Sequence, residues 1–248
     1  MALVSREFYL GRSGMLVFLN ELEATVDSGA ASLYMLPGLS LPEIEGLLTE
    51  ISTQAVPDGL TEMAASSKNG AVVFWGGTRE YLVLPPFPIR EETMFTGYIA
   101  EPLRQLLDSS LKIGLILVHL GTYAIGVCQG EELITSKVGT GLIHGRHKKG
   151  GSSQQRFQRH RQKQVQEFLD RVCNHAIAQL EPYAQELDYV IYGGPRQTVL
   201  LLQKRCAFLK SFEDRGLPSL DVPSLRQKVL KTAVSRTWSS RIIEWQEG

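Results

Sequence analysis

Helical and strand periods alternate along the first part of the chain. In "GRSGMLVFLNELEATV" the apolar residues Met15, Leu16, Phe18, Leu19, Leu22 and Val26 recur at helical spacing, which predicts a helix from Gly11 to about Val26. "ASLYMLP" reads as a short apolar strand closed by Pro37. "SLPEIEGLLTEIS" places a candidate N-cap, Ser40, before a first-turn proline, with Ile44, Leu47, Leu48 and Ile51 on one face. "AVVFWGGTREYLVLPP" predicts two strands, Ala71–Trp75 and Tyr81–Leu84, around a Gly-Gly turn. Helix, strand, helix and hairpin make a small α/β unit over residues 1–90, closed by the proline-rich "LPPFPIR".

A second unit, residues 91–248, opens with the helical "YIAEPLRQLLDS". Strands at Ile113–His119, Tyr123–Cys128 and Leu133–Val138 follow, joined at Gly121 and Gly130, and predict a meander. A long helix is expected to reach about Leu180, before "DYVIYGGP", a buried strand whose glycine turn starts another helix at Pro195. Leu225, Val229, Leu230, Val234, Trp238, Ile242 and Trp245 predict a final helix from Pro223 to near the C-terminus. The fold class is α/β (α+β), a mixed sheet with helices packed on it, preceded by a smaller α/β domain.

Composition narrows the classes. Of 248 residues, 43% are hydrophobic and 21% charged, and Lys+Arg and Asp+Glu balance at 26 each. An anionic partner must therefore be met by a local patch rather than by overall charge. Cys128, Cys173 and Cys206 show neither a CxxC pair nor a disulfide framework, so free thiols in a reducing compartment are expected. "MALVSREFYLGRSG" lacks the basic and apolar segments of a signal peptide, and no apolar window has membrane-spanning length. A cytoplasmic protein is the resulting expectation.

The local patch is "HGRHKKGGSSQQRFQRHRQKQ", His144 to Gln164, inside a run without an acidic residue from Glu132 to Glu167. Between Gln155 and Gln164 the only apolar residue is Phe157, so roughly 15 Å of helix is not needed by the core and should project into solvent. The basic residues point in several directions around it. A solvated helix normally mixes charge signs at i,i+4, and this single sign favours a polyanion. Duplex-DNA readers have a different build, and single-strand binders interleave aromatics, so an RNA-lined cleft fits best. Gly150 and Gly151 allow close backbone approach to another surface. Gln154 and Gln155 cannot act as general bases, but they can orient a water and stabilise an oxyanion.

"KKGGSSQQRFQRHRQKQ" resembles the Gly-Gly-Gln loop and following helix of eukaryotic and archaeal class I peptide-chain release factors, and more closely the release-factor-like peptidyl-tRNA hydrolases of ribosome quality control. In those hydrolases the loop reads Gly-Gly-X-Ser-Gln or similar, as in Gly150 to Phe157. The element order from Glu92 to Gly248 matches the release-factor catalytic middle domain; the first ninety residues share only element order with the N-terminal domain. The resemblance implies release of nascent chains from stalled or split large ribosomal subunits, with ribosomal RNA and peptidyl-tRNA as partners. A monomer with no cofactor, no metal and no membrane partner is expected. The tip would be formed by Gly150, Gly151, Ser153 and Gln154, with Gln155 as the second candidate. Arg146, Lys148, Lys149, Arg156, Arg159, Arg161 and Lys163 would meet RNA phosphates. With Arg156-Phe157 kept in register, Ser152 falls where the release-factor glutamine stands, so the loop must be arranged differently. No codon-reading Asn-Ile-Lys-Ser segment is present, and the sequence stops at Gly248 where a third domain would follow. Stop-codon reading and partnership with the release-factor GTPase are therefore expected to be lost.

Other readings stay open. His144, His147 and His160 could serve a nuclease acting near the tRNA 3′ end, although no carboxylate lies near them in sequence. A release-factor-like module could occupy the ribosome without hydrolysis. Phe157 could anchor the loop base or stack on an RNA base. "YGGPRQ" at 192–197 could hold a phosphate at a helix N-terminus, or be a plain strand-to-helix turn lacking the phosphate-loop lysine. The cysteines and histidines lack metal-ligand spacing, and His119 and His175 beside apolar runs are expected to be structural.

Overall fold

A computed structural model describes residues 3–25, 29–51, 56–57, 59–143, 152–222 and 229–246. The chain divides into two units, Met1–Ser109 with Ser235–Gly248, and Ser110–Val234.

The first unit is built on a six-stranded antiparallel sheet. Its strands are β1 (Leu3–Leu10), β2 (Ala31–Met35), β3 (Ala71–Trp75), β4 (Glu80–Leu84), β5 (Thr93–Thr96) and a C-terminal strand, β10 (Ser240–Gln246), in the order β1-β10-β4-β3-β2-β5. Alternation in β3 sends Val72 and Phe74 to one face and Ala71, Val73 and Trp75 to the other. Helices α1 (Arg12–Glu23) and α4 (Glu101–Asp108) cover the first face through Met15, Leu19, Leu103 and Leu107. Helices α2 (Leu41–Ile51) and α3 (Leu60–Ser66) cover the second through Ile44, Leu60 and Ala64. Before α2, the Ser40 hydroxyl and backbone N–H both bond the Glu43 carboxylate, at 2.6 and 2.7 Å.

Two expectations are corrected here. Residues Pro223 to the C-terminus are not one helix: α7 (Val229–Thr237) stops and β10 follows. Ile242 packs on one face of the sheet, Ile243 and Trp245 on the other, because β10 is a central strand between β1 and β4. A strand buried on both faces is an apolar run whose members also fit a helical period. The units also do not divide near Arg90. "LPPFPIR" is a buried strap: Phe87 lies edge-on to Trp238 at 4.7 Å, and the Asn69 side-chain amide donates to the carbonyls of Pro85 and Pro86 at 3.1 and 2.8 Å. β5 then pairs with β2, so the chain stays in the first unit to Ser109.

The second unit carries a mixed four-stranded sheet, β8-β7-β6-β9. The meander of β6 (Lys112–His119), β7 (Thr122–Gln129) and β8 (Glu132–Thr140) is antiparallel, and β9 (Tyr189–Gly193) joins β6 in parallel. The long helix α5 (Ser152–Leu180) and the shorter α6 (Arg196–Arg205) pack on one face. The mixed sheet with packed helices is as the sequence predicts.

Candidate functional site

Helix α5 has 29 residues, about 43 Å of rise. Only its second half is in the core. Phe168, Leu169, Val172, Ala176 and Leu180 are buried against Ile116, Val118, Tyr123, Ile125 and Val127, and Val165 is the first residue to pack there. The part before Val165 extends about 20 Å past that contact. Gln155, Arg156, Phe157, Arg159, His160 and Lys163 are all exposed, Phe157 to 61%.

The cations on this segment are more organised than the sequence suggests. Arg156, Arg159 and Lys163 stand at i, i+3 and i+7 and so form one stripe, with the His160 imidazole beside them at i+4. Arg161 is half-buried and lies off it. At the lower end the sign changes: Lys163 pairs with Glu167 at 3.8 Å, and Asp170 receives a two-pronged bond from Arg205 of α6, the Nη2 arm at 2.6 Å. Hydrogen bonding from that guanidinium holds the Asp170 carboxyl below the usual carboxylate range. The first acids of α5, Glu167 and Asp170, thus come where the helix meets the fold, and the charges before them are all basic.

Of the residues expected at the site, Arg146, Lys148, Lys149, Gly150 and Gly151 lie outside the described residues, as do His144 and His147. Ser153 and Gln154 fall in the first turn of α5, where only the backbone is described. His175 stacks on Tyr123 at 5.4 Å, and His119 Nε2 lies 2.6 Å from the Val222 carbonyl oxygen, as structural histidines would. "YGGPRQ" is the turn from β9 into α6. Among the described residues no His, Cys, Asp and Glu group could hold a metal ion, and no helix is long and apolar enough to cross a membrane.

The free-thiol expectation is corrected. Cys173 of α5 and Cys206, which caps α6, form a disulfide with Cα atoms 5.5 Å apart. Their 33-residue separation carries no spacing signal, since helix packing alone brings them together. Cys128 is a free, buried thiol whose pKa burial pushes up to about 12.

Sequence reasoning also passed over the residues that bring β8 to α5. Gly139 and Gly141 lie against the buried rings of Tyr123 and Phe168, and the Arg171 guanidinium donates to the Thr140 carbonyl at 3.4 Å. The available signal was two glycines two residues apart at the end of a strand, which places both on one face.

The edge strand β8 thus ends at Thr140, and the basic first half of α5 begins at Ser152. The sequence pattern of the Actinobacteria/chloroflexi VLRF1 release factor family matches residues 111–243, more than half of the chain. The chain belongs to the VLRF1 release factor family. That VLRF1 match runs through the meander, the Gly-Gly loop and the whole of α5. Peptide chain release factor subunit 1 of Aeropyrum pernix is 30% identical over 192 residues, 66% of this chain and 52% of that protein. The same factor of Methanopyrus kandleri is 26% identical over 194 residues, 74% of this chain and 47% of that protein. The chain therefore spans about half the length of these relatives. A crystal structure of the archaeal translation termination factor aRF1 is 23% identical, covering 92% of this chain and 70% of that one with a TM-score of 0.42.

Proposed function

We propose that the chain is a peptidyl-tRNA hydrolase that frees nascent peptides from stalled or split large ribosomal subunits in the cytoplasm, acting as a monomer. Membership of the VLRF1 release factor family, over a span that includes the Gly-Gly loop and α5, carries this reading. The cationic stripe on the projecting half of α5 supports it, because Arg156, Arg159 and Lys163 face solvent where RNA phosphates could be met.

The bond broken is the ester between the peptide and the terminal ribose of tRNA. Water adds to the carbonyl carbon, the carbonyl oxygen takes up negative charge, and the ribose hydroxyl leaves with a proton. Gln154, by side chain or backbone N–H, places the water and donates to the oxyanion, with Gln155 the second candidate. Gly150, Gly151 and Ser153 let the tip approach the ester. Orientation supplies about 7–11 kcal/mol of barrier lowering when the geometry is right, and one oxyanion donor about 3–4 kcal/mol. Ribosomal RNA completes the pocket, so the isolated protein should be nearly inert. Arg146, Lys148, Lys149, Arg156, Arg159, Arg161 and Lys163 neutralise RNA phosphates along the approach.

Two substitutions separate hydrolysis from mere occupancy. Arg159→Glu should weaken binding to large subunits and release together, whereas Gln154→Ala should leave binding intact and abolish release. Wild-type protein that binds and releases nothing would establish a non-catalytic module, and a shortened tRNA among the products would establish a nuclease.

A further inference from the structure

Phe157 stands apart from the other phenylalanines of the chain. Of the nine it alone is exposed, to 61%, and the rest are buried or half-buried. It lies about 12 Å of helical rise before Val165, where α5 first packs on the core. The core therefore does not need the ring, and leaving it in water forgoes the burial that holds the others. Its surroundings on the helix are polar. Phe157 follows Arg156 and so sits about 100° round the helix from the first member of the cationic stripe. His160 and Gln164, at i+3 and i+7 from it, share its side. One side of the projecting helix thus carries point charges, and the next carries a ring, an imidazole and an amide.

Protein and RNA partners make different demands of this arrangement. A protein pocket draws its strength from apolar groups clustered together. Phe157 is the only apolar residue from Gln155 to Gln164. RNA presents phosphates beside the flat faces of unpaired bases, and any base will stack on an aromatic ring. A single ring serves one base rather than a tracked single strand. We propose that Phe157 stacks on one unpaired base of the large subunit's ribosomal RNA while Arg156, Arg159 and Lys163 hold neighbouring phosphates. The His160 imidazole and the Gln164 amide offer hydrogen bonds to the edge of that base. This rests on the reading that α5 enters the large subunit, and it holds whether or not peptide is then released. Stacking is not an ion contact. Its loss should lower affinity without altering the salt dependence, whereas loss of a stripe cation alters both.

The test is filter binding to purified large subunits free of tRNA, across a salt series. Phe157→Ala should bind about 5- to 100-fold more weakly at every salt concentration, with the slope of log K against log salt unchanged. Phe157→Leu keeps an apolar side chain but no flat face, and should lose as much. Phe157→Tyr keeps the face and should bind within about twofold of wild type. The position is exposed, so all three variants should melt within about 2 °C of wild type. Full affinity in Phe157→Leu would assign the ring to an apolar pocket of a ribosomal protein and overturn the stacking. Wild-type affinity in Phe157→Ala, or a changed slope, would overturn it as well. A loss seen only with tRNA on the subunit would move the base to the tRNA and overturn the ribosomal assignment. Wild type that meets the binding test and releases no peptide would overturn the hydrolase alone, and wild type that does not bind would overturn both.

Discussion

Breaking the disulfide between Cys173 and Cys206 should loosen the second unit by a calculable amount. The bridge closes a loop of 33 residues, from the last third of α5 to the residue that ends α6. For a loop of that length, the chain-entropy relation puts the loss at about 12.5 cal/mol/K, or about 3.7 kcal/mol at 25 °C. The neighbouring Arg205–Asp170 pair does not replace it, because an exposed ion pair holds long side chains only weakly against solvent. For a chain of this size, about 2–4 °C per kcal/mol translates the loss into a melting temperature lower by about 7–15 °C. The assay is calorimetry of the oxidised protein with and without excess dithiol, beside Cys173→Ser. Oxidised wild type should melt highest, reduced wild type should fall by that interval, and Cys173→Ser should match the reduced protein and ignore the dithiol. Three titratable thiols in unfolded, unreduced protein, or a melting temperature indifferent to dithiol, would refute the reasoning.

Two other perturbations act on α5. Arg159→Glu should lower affinity for large subunits and reduce the slope of log K against log salt by about 0.7–0.9 for each phosphate that is no longer neutralised, measured by filter binding across a salt series. Asp170→Asn should lower stability slightly at neutral pH and not at all in strong acid. The folded-state pKa of Asp170 is depressed, so its contribution exists above the unfolded-state value and vanishes as pH falls through the folded one. Thermal melts of the two proteins should therefore converge on acidification, and a gap that persists there would rule out the carboxylate as its source.

Much of the second unit was legible because its elements are local and strongly patterned. The three-stranded meander turns on Gly121 and Gly130, and the apolar period of α5 begins at Val165 after a stretch with a single apolar residue. A sequence can show that such a helix outruns its core. What it hides are contacts between distant segments. Trp238, Ile242 and Trp245 continue a helical spacing equally well whether the chain coils or extends, and only the gap between β1 and β4 selects a strand. The proline-rich run from Pro85 to Pro88 looks like a linker until Asn69 is seen to bond the Pro85 and Pro86 carbonyls and Trp238 to pack on Phe87. Cys173 and Cys206 meet only because α5 and α6 pack, and Gly139 and Gly141 acquire meaning only against Tyr123 and Phe168. The stripe of Arg156, Arg159 and Lys163 was present in the letters, but helical phase had to be applied residue by residue to separate it from Arg161.

The most direct measurement is the single-turnover rate of peptide release from peptidyl-tRNA on purified large subunits, for wild type and Gln154→Ala at matched subunit occupancy. Rapid release by wild type, with intact tRNA left behind, and loss of at least about a hundredfold in Gln154→Ala is the predicted result. Equal rates in the two proteins would remove Gln154 from the chemistry, and wild-type protein that fills the subunits without releasing peptide would contradict the hydrolase itself.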